Sequence, residues 1–253
     1  MRDHLSVSQI NLYLACPLKY RFVYVDEIPR PFKSSGLTFG SAIHSTIEWL
    51  HKERIAGKSP NFDDLHRIFC ADWEALKIDN IQFKDGESED EIITKGNEVL
   101  KLYFESIPDI PPKAAELPFR VPLINIETEE QLDLPLEGVI DLIEEDDTVV
   151  ELKTSSRSID PQTLSQHLQL TAYSYAYLYI YKKKPNLRLD NLIKSKTARI
   201  ETFQVKRDKE DYVRLFHIAK EVLKGIKFGY FCPNHSWMCN DCEYFEDCQK
   251  WEG

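Results

Sequence analysis

The segment GVIDLIEEDDTVVELKT, residues 138–154, constrains the fold of this chain more than any other stretch. Two apolar runs flank an acidic tip, which predicts a β-hairpin. The first run nevertheless contains Asp141, and the second contains Glu151 and Lys153. Burying unpaired carboxylates is costly, so two of them in strands near a core require a partner of opposite charge. The segment therefore predicts a hairpin that holds a charged group.

The two carboxylates can serve one site in only one pairing register. Side chains alternate along a strand, and residues opposite each other in an antiparallel pair share a face. Asp141 and Glu151 lie opposite each other when the pairing is symmetric about residue 146, which requires an odd-length loop such as Glu145–Asp147. A two-residue loop would place the carboxylates on opposite faces. The chemistry thus predicts the register.

A divalent cation would resolve the repulsion between the two carboxylates. Oxygen-rich sites suit Mg²⁺ or Mn²⁺, and such an ion can polarise a phosphoryl oxygen and lower the pKa of a bound water. Lys153 points to the same side as Glu151, where it could orient that water or stabilise charge on a phosphate. A rim salt bridge between Glu151 and Lys153 is the alternative, and the spacing alone does not exclude it.

Hydrophobic periodicity divides the chain into a helical part and a part in which strands and helices alternate. The prolines of PDIPPKAAELP (108–118) mark the change. The predicted helices lie at 6–20, 38–57, 62–77, 88–106, 160–182 and 208–228, and the predicted strands at 116–127, 131–144, 147–154, 189–195 and 199–206. Asp160 is a candidate N-cap for the fifth helix. This order predicts an α/β or α+β fold.

Composition restricts where such a protein works. Hydrophobic residues make up 42% of the chain and charged residues 29%, as in soluble globular proteins. No apolar run approaches the roughly 20 residues that span a bilayer, and the N-terminus lacks the layout of a signal peptide. We therefore expect a cytoplasmic protein that does not contact membranes. None of the nine glycines belongs to a phosphate-binding P-loop, so the chain carries no recognisable motor.

The net charge of -10 is unevenly distributed along the chain. Residues 85–151 contain 20 acidic and 4 basic residues, whereas residues 182–227 contain 14 basic and 6 acidic ones, a net of +8. One segment could therefore gather cations and the other attract phosphate. A solvated helix face and loop is the alternative interpretation of the basic segment.

Three of the six cysteines are clustered near the C-terminus as C-x2-C-x5-C, at Cys239, Cys242 and Cys248. Clustered cysteines in a cytoplasmic protein indicate a metal site rather than disulfides. A closed site needs a fourth ligand, and Cys232 and His235 are near in sequence. On spacing alone, zinc and an iron–sulfur cluster both remain open. Cys70 is expected to be a buried apolar residue.

The hairpin motif resembles the core motif of the PD-(D/E)XK nuclease superfamily. Gly138–Asp141 followed by Glu151–Lys153 carries this resemblance. The segment SVSQINLYLACPLKYRFVY (6–24) resembles the opening segment of the RecB-like branch, and FGSAIHSTIE (39–48) resembles its G-x-x-x-H helix, with Gly40 and His44. QLTAY (169–173) resembles its Q-x-x-x-Y helix. The motifs occur in the family's order from about Ser6 to Cys248.

The resemblance implies a restriction-endonuclease-like core, in which helices flank a mixed central sheet. We expect one domain over residues 1–253. A mainly helical part (1–110) would carry Cys16 and His44, residues 111–206 would form the nuclease core, and residues 207–253 would hold a helix and the cysteine cluster.

The resemblance also implies roles for individual residues. His44, Asp141 and Glu151 would bind Mg²⁺ or Mn²⁺, with the backbone carbonyl of Leu152 as a further ligand. Lys153 would be the catalytic partner that assists the attacking water. Two helix residues, Gln169 and Tyr173, would position the substrate or the lysine. ELPF (116–119) is the loosest match, and for Glu116 we favour a structural role.

The resemblance also implies which residue is the fourth ligand of the cysteine site and which metal group the site holds. Iron–sulfur RecB-like nucleases, among them the AddB nuclease domain and CRISPR-associated adaptation exonucleases, have one cysteine before the nuclease core and three after it. Cys16, in ACPLKYRF, resembles the first of these. The resemblance therefore implies a [4Fe–4S] cluster held by Cys16, Cys239, Cys242 and Cys248, with zinc as the alternative.

These features together predict a metal-dependent DNA nuclease. By resemblance it would be an exonuclease acting on single-stranded DNA or DNA ends, in repair or recombination, CRISPR adaptation or phage DNA processing, with a helicase or other repair or adaptation proteins as candidate partners. The rival from another class is a non-catalytic DNA-binding or scaffold module stabilised by iron–sulfur or zinc. The complete set of Asp141, Glu151 and Lys153 argues against that rival, because a scaffold does not need it.

Overall fold

Helices cover both faces of a six-stranded mixed sheet in the computed structural model, which describes residues 2–77 and 80–253. In chain order the elements are β1 (Leu5–Ser6), α1 (Val7–Ala15), α2 (Pro17–Tyr24), β2 (Lys33–Ser34), α3 (Ser35–Ile55), α4 (Phe62–Leu76), β3 (Ile81–Gln82), α5 (Glu89–Ser106), β4 (Ala114–Val121), β5 (Leu136–Ile143), β6 (Thr148–Ser155), α6 (Pro161–Leu164), α7 (Leu168–Tyr181), β7 (Asn186–Ile193), β8 (Arg199–Val205), α8 (Lys209–Lys227), a 3₁₀ helix (Trp237–Asp241) and α9 (Phe245–Gln249). The predicted mixed sheet flanked by helices is confirmed.

The sheet is mixed because its strands are connected in two ways. The strand order is β1-β5-β6-β7-β8, and β4 also pairs with β5. The pairs β4–β5, β5–β6 and β7–β8 are antiparallel, whereas β6 and β7 are parallel. A parallel pair needs a crossover connection, and α6 with α7 provides it. This crossover lays α7 against the strands that carry the charged residues.

The hairpin of β5 and β6 has the predicted register. Its paired residues are symmetric about residue 146: Leu142 with Val150 and Ile143 with Val149. The three-residue loop 145–147 connects the strands, and Asp147 closes it in the left-handed region at φ 68°, which aspartate tolerates better than most residues. Asp141 and Glu151 therefore lie opposite each other on one face of the sheet.

Two predicted helices are interrupted in the structure. The predicted helix at 6–20 is α1 and α2, because Cys16 has extended backbone at φ -160° and precedes Pro17, which begins the second helix. The predicted helix at 160–182 is the four-residue α6 followed by α7, with Ser165–His167 between them. Both interruptions place residues of the candidate site at a helix end.

The sheet separates two apolar layers. On one face, α1, α7 and α8 pack against residues such as Ile143 and Val149. On the other face, α3, α4 and α5 pack against residues such as Leu142 and Val150. Within the two described ranges, no helix is both long enough and apolar enough to cross a membrane.

The two ends of the chain pack against each other. Leu18 and Phe22 of α2 form a small apolar cluster with Tyr244, which is 1% exposed. The Tyr244 hydroxyl donates to the carbonyl of Ile28 at 3.0 Å, and Lys19 Nζ lies 2.6 Å from Glu243 Oε2. These contacts bring the C-terminal cysteines to the N-terminal one.

Candidate functional site

The strands β5 and β6 separate after only two paired positions and form a fork. Among the described residues, β5 pairs with β6 at residues 142 and 143 and with β1 at residues 136 and 137, so residues 138–141 lie between the two pairings. In this gap, Oδ2 of Asp141 accepts a hydrogen bond from the backbone N–H of Leu152 at 2.7 Å. The aspartate thus satisfies a buried backbone donor of β6 and is itself held at the fork.

A third carboxylate joins the two that the hairpin brings together. Ala115 pairs with Leu142, and Leu117 with Ile140, so Glu116 of β4 stands opposite Asp141. Glu116 has a positive φ of 51°, which interrupts the ladder at this point. Three carboxylates, those of Glu116, Asp141 and Glu151, therefore form a row across three neighbouring strands.

Burial and the charge of Asp141 raise the pKa values of the two outer carboxyl groups of this row, Glu116 and Glu151. Burial raises the pKa of Glu116 to about 7, and the negative charges of Asp141 and Glu48 act in the same direction. Burial likewise raises the pKa of Glu151 to about 8, with a further contribution from Asp141 that Lys153 opposes. Repulsion and desolvation thus disfavour the ionised row, and a bound cation would relieve both.

His44 reaches the row from α3. A Cβ atom on Gly40 would lie 2.9 Å from Oγ1 of Thr154, so the glycine allows α3 to approach β6 closely. Ligand atoms of His44, Glu116 and Asp141 all lie within 4.8 Å of one another. Burial lowers the pKa of His44, while Asp141 and the backbone carbonyl of Leu152 raise it. A neutral imidazole beside carboxylates is a donor set for a divalent cation.

Glu151 is the least satisfied member of the site. Its side chain is fully buried, and neither carboxylate oxygen has a hydrogen-bond partner among the described residues. The Lys153 ammonium contacts Oε1 as an ion pair, although without the angles of a hydrogen bond. Glu151 does not belong to the group of three that lies within 4.8 Å. A buried carboxylate whose oxygens accept no hydrogen bond, and whose charge Lys153 offsets on one side, suits a cation ligand beside that group.

A chain of hydrogen bonds joins the lysine back to the aspartate. Lys153 Nζ donates to Gln169 Oε1 at 2.9 Å, and Gln169 Nε2 donates to the Tyr173 hydroxyl at 2.8 Å. That hydroxyl donates to Oδ1 of Asp141 at 3.2 Å. The first turns of α7 therefore bring the predicted Gln169 and Tyr173 to the predicted Asp141 and Lys153.

The site opens into a cleft of about 470 Å³. His44, Glu116, Asp141, Gln169 and Tyr173 line it, together with the start of α1 at residues 6–8. Glu48 also lines the cleft, one helical turn after His44. Glu48 is not among the residues predicted from the sequence, although its i, i+4 spacing from His44 was an available signal.

Four of the cysteines surround one small cavity: Cys16, Cys239, Cys242 and Cys248. Burial raises the pKa of Cys248, and the three other cysteines of this group raise it further. Cys232 does not line the cavity and instead lies beside Tyr13 and Tyr230. The structure thus separates Cys232 from the predicted ligands. Cys70, which we expected to be buried, is half-buried on α4.

The four sulfurs are not spaced as the ligands of one bound zinc ion would be. Zinc–sulfur bonds of about 2.3 Å in a tetrahedron place the sulfurs about 3.8 Å apart. Within the described residues, no three cysteine sulfurs lie within 4.8 Å of one another.

The basic segment 182–227 is not a uniformly free cationic surface. Seven of its fourteen basic residues form ion pairs with acidic side chains: Lys183, Arg188, Arg199, Lys209, Lys220, Lys224 and Lys227. Within the described residues, five of these seven residues pair with acidic residues of the 85–151 stretch: Glu127, Glu130, Asp133, Glu144 and Asp147. Part of the charge asymmetry seen along the sequence is thus neutralised within the fold.

The comparisons with known proteins agree with this geometry. The sequence model described as the PD-(D/E)XK nuclease superfamily matches residues 4–249. No curated protein matches the chain. A crystal structure of a proposed exonuclease from Eubacterium rectale has a TM-score of 0.61 and 13% identity, with 99% of this chain and 89% of that chain covered. This likeness shows a shared fold.

A second solved structure, that of SSO0001, has a TM-score of 0.39 and 15% identity over 92% of each chain. A TM-score below 0.5 does not indicate a shared fold, so no conclusion is drawn from this structure.

Replacing Glu116 by glutamine should weaken metal binding. If Glu116 contributes a ligand beside His44 and Asp141, its loss should lower the affinity for Mn²⁺ by at least about tenfold, as measured by isothermal titration calorimetry. Glu137→Gln is the matched control, because Glu137 lines the same cleft but its carboxylate pairs with Arg120 and His4. An unchanged affinity for Mn²⁺ in Glu116→Gln would mean that Glu116 is not a metal ligand and has the structural role that the sequence favoured.

Glu151→Gln should stabilise the metal-free protein at high pH. The pKa of Glu151 is raised from 4.5 to about 8 in the fold, so the folded state binds the proton more tightly than the unfolded state. Stability from this group is therefore present below pH 4.5 and lost as the pH rises to about 8. In EDTA we expect the variant to gain about 1–3 kcal/mol at pH 8.5 and much less at pH 5, as measured by urea unfolding.

The exposed Glu98→Gln exchange serves as the control and should show no such pH dependence. Mn²⁺ should reverse the order of stability, because it binds the folded wild type better than the variant. An equal gain at both pH values would mean that the charge of Glu151 is not the cause.

Proposed function

The chain belongs to the PD-(D/E)XK nuclease superfamily, and on this premise we propose that it hydrolyses phosphodiester bonds in DNA with Mg²⁺ or Mn²⁺. The observation that carries the proposal is the convergence of His44, Glu116 and Asp141 beside the unbonded carboxylate of Glu151. When bound, the cation would polarise a phosphoryl oxygen and lower the pKa of a water molecule. His44, Asp141, Glu151 and the carbonyl of Leu152 are the proposed ligands, and Glu116 joins them.

Lys153 is the proposed catalytic partner of these ligands. Its ammonium is held between Glu151 and Gln169, and its side chain is 36% exposed, so it can meet both the buried carboxylate and a substrate. From this position it donates hydrogen bonds to the attacking water or to a phosphate oxygen. Because Gln169 accepts one of its hydrogen bonds, the direction of the ammonium does not depend on the cation alone.

The proposed substrate is a single strand or an end of DNA. A cleft of about 470 Å³ has the volume of an ordinary small-molecule pocket, and α3, α7 and the start of α1 bound it. Such a cleft favours one strand over the side of a continuous duplex. The similar protein from Eubacterium rectale is described as a proposed exonuclease, which supports exonuclease action here.

We further propose that Cys16, Cys239, Cys242 and Cys248 hold a [4Fe–4S] cluster. Thiolates are the protein ligands of such clusters, and these four surround one cavity between the two chain ends. The resemblance of the cysteine pattern to that of iron–sulfur RecB-like nucleases supports the cluster over zinc. The proposed role is structural, since the cluster would tie α2 to the C-terminal segment.

The nuclease activity can be tested on end-labelled DNA with anaerobically purified protein. We expect single-stranded DNA to be shortened in Mg²⁺ or Mn²⁺ but not in EDTA. Glu151→Gln and Lys153→Met should each lower the rate by at least about a hundredfold. The control Lys224→Met removes an exposed lysine paired with Glu221 and should leave the rate unchanged.

Cleavage by Glu151→Gln at the wild-type rate would point to a contaminating nuclease. Wild-type protein that binds Mn²⁺ but cuts neither single-stranded nor double-stranded DNA would instead favour the non-catalytic binding module.

The cysteine assignment predicts which thiols are needed for iron. Anaerobically purified protein should contain about four iron atoms and as many sulfide ions per chain. Cys16→Ser and Cys239→Ser should lose most of this iron, whereas Cys232→Ser and Cys70→Ser should retain it. One zinc ion per chain without sulfide would contradict the cluster, and iron loss in Cys232→Ser would contradict the ligand set.

A further inference from the structure

Arg207 is a buried arginine without an acidic partner. It is 8% exposed, and within the described residues it forms no ion pair with a carboxylate. Burial lowers its pKa, which the charges of Asp211 and Asp208 oppose. Holding a buried cation without an ion pair is costly, so the hydrogen bonds of this guanidinium must support something that the fold requires.

Those hydrogen bonds hold the junction between α6 and α7. Nη2 donates to the carbonyl of Leu164 at 2.6 Å and to that of His167 at 3.3 Å. Nε donates to Oγ1 of Thr171 at 2.7 Å. Arg207 therefore spans the last residue of α6, the cap of α7 and the first turn of α7. A planar guanidinium suits this task because it presents several donors in fixed directions.

The N-terminus of α7 is weakly capped. Histidine is not among the preferred N-cap residues, and Nδ1 of His167 accepts from the N–H of Leu170 at a long 3.4 Å. The rest of α7 is held by its buried side chains, such as Ala172 and Ala176. Helix ends fray when they lack such support. The bonds from Arg207 thus add a polar restraint to a turn that otherwise relies on the packing of the buried Leu170 against Leu164 and Leu189.

The residue that holds the catalytic lysine lies in this turn. Gln169 is the second residue of α7, and its amide accepts from Lys153 at 2.9 Å and donates to Tyr173 at 2.8 Å. Both contacts depend on where the first turn lies relative to β6. A shift of about 1 Å can lower a rate by about a hundredfold when it misplaces a catalytic group.

We propose that Arg207 is a positioning residue for Lys153. By bonding both sides of the α6–α7 junction, it fixes Gln169, and Gln169 in turn directs the Lys153 ammonium toward Glu151 and the cleft. This inference rests on the proposed nuclease function for its kinetic consequence. The positioning of Gln169 is independent of that function.

The first experiment observes Gln169 directly. The side-chain amide signals of Gln169 in a ¹⁵N-labelled sample are identified by their loss in Gln169→Ala. In Arg207→Gln these signals should shift or broaden, and the backbone amides of Leu170 and Thr171 should exchange with solvent faster. The control Arg199→Gln makes the same exchange in β8 at an arginine that bonds exposed groups, and it should change neither.

The second experiment measures kcat and KM on single-stranded DNA. Arg207→Gln and Gln169→Ala should each lower kcat by about 10- to 100-fold and change KM little. The double variant should be no more than about twofold slower than the slower single variant, because both changes remove one contact to Lys153. If Arg207→Gln fails to fold, Arg207→Lys takes its place, since it keeps the charge but cannot bond all three acceptors.

The outcomes separate the two proposals. Unmoved Gln169 signals in a folded Arg207 variant would overturn the positioning role, as would kcat losses that multiply in the double variant. Wild-type protein that cuts no DNA would refute the nuclease function and the kinetic part of this inference, while a shifted Gln169 signal would still establish that Arg207 holds Gln169.

Discussion

The repulsion among three carboxylates, two of them buried and one half-buried, is the constraint on which the rest of the site depends. Glu116, Asp141 and Glu151 stand opposite one another across β4, β5 and β6, and burial intensifies their repulsion. Asp141 is satisfied by the Leu152 N–H and the Tyr173 hydroxyl, whereas both oxygens of Glu151 lack hydrogen bonds in the described structure. The fold therefore leaves an excess of negative charge that a divalent cation would neutralise.

The fork in the sheet lets both helical layers reach these carboxylates. α3 packs on one face of the sheet and contributes His44, whereas α7 packs on the other face and contributes Gln169 and Tyr173. A continuously paired β5 and β6 would separate the two layers. Because the strands diverge beyond the Leu142–Val150 pair, on the side away from the hairpin loop, side chains from both layers line one cleft. Arg207 bonds the α6–α7 junction, from which the first turn of α7 carries Gln169 to this cleft.

The same folding that creates the site also redistributes charge and joins the chain ends. Acidic residues of the 85–151 stretch pair with lysines of the basic segment, so the local charge excess of the sequence is smaller in the structure. The C-terminal segment packs against α2, and this contact brings Cys16 to three cysteines that lie more than 200 residues away in the chain. Electrostatic and apolar contacts thus act between distant segments.

Strand alternation was enough to predict the hairpin register and to place Asp141, Glu151 and Lys153 on one face, because it acts over a few residues. The resemblance to the nuclease superfamily supplied the mixed sheet and the candidate residues His44, Gln169 and Tyr173. The proline after Cys16 also signalled a helix break, although we predicted one helix there. Only the tertiary structure placed Glu116 opposite Asp141, separated Cys232 from the other cysteines and brought Arg207 to α7. Each of these depends on pairing or packing between segments far apart in the chain, and no local pattern records which segments will meet.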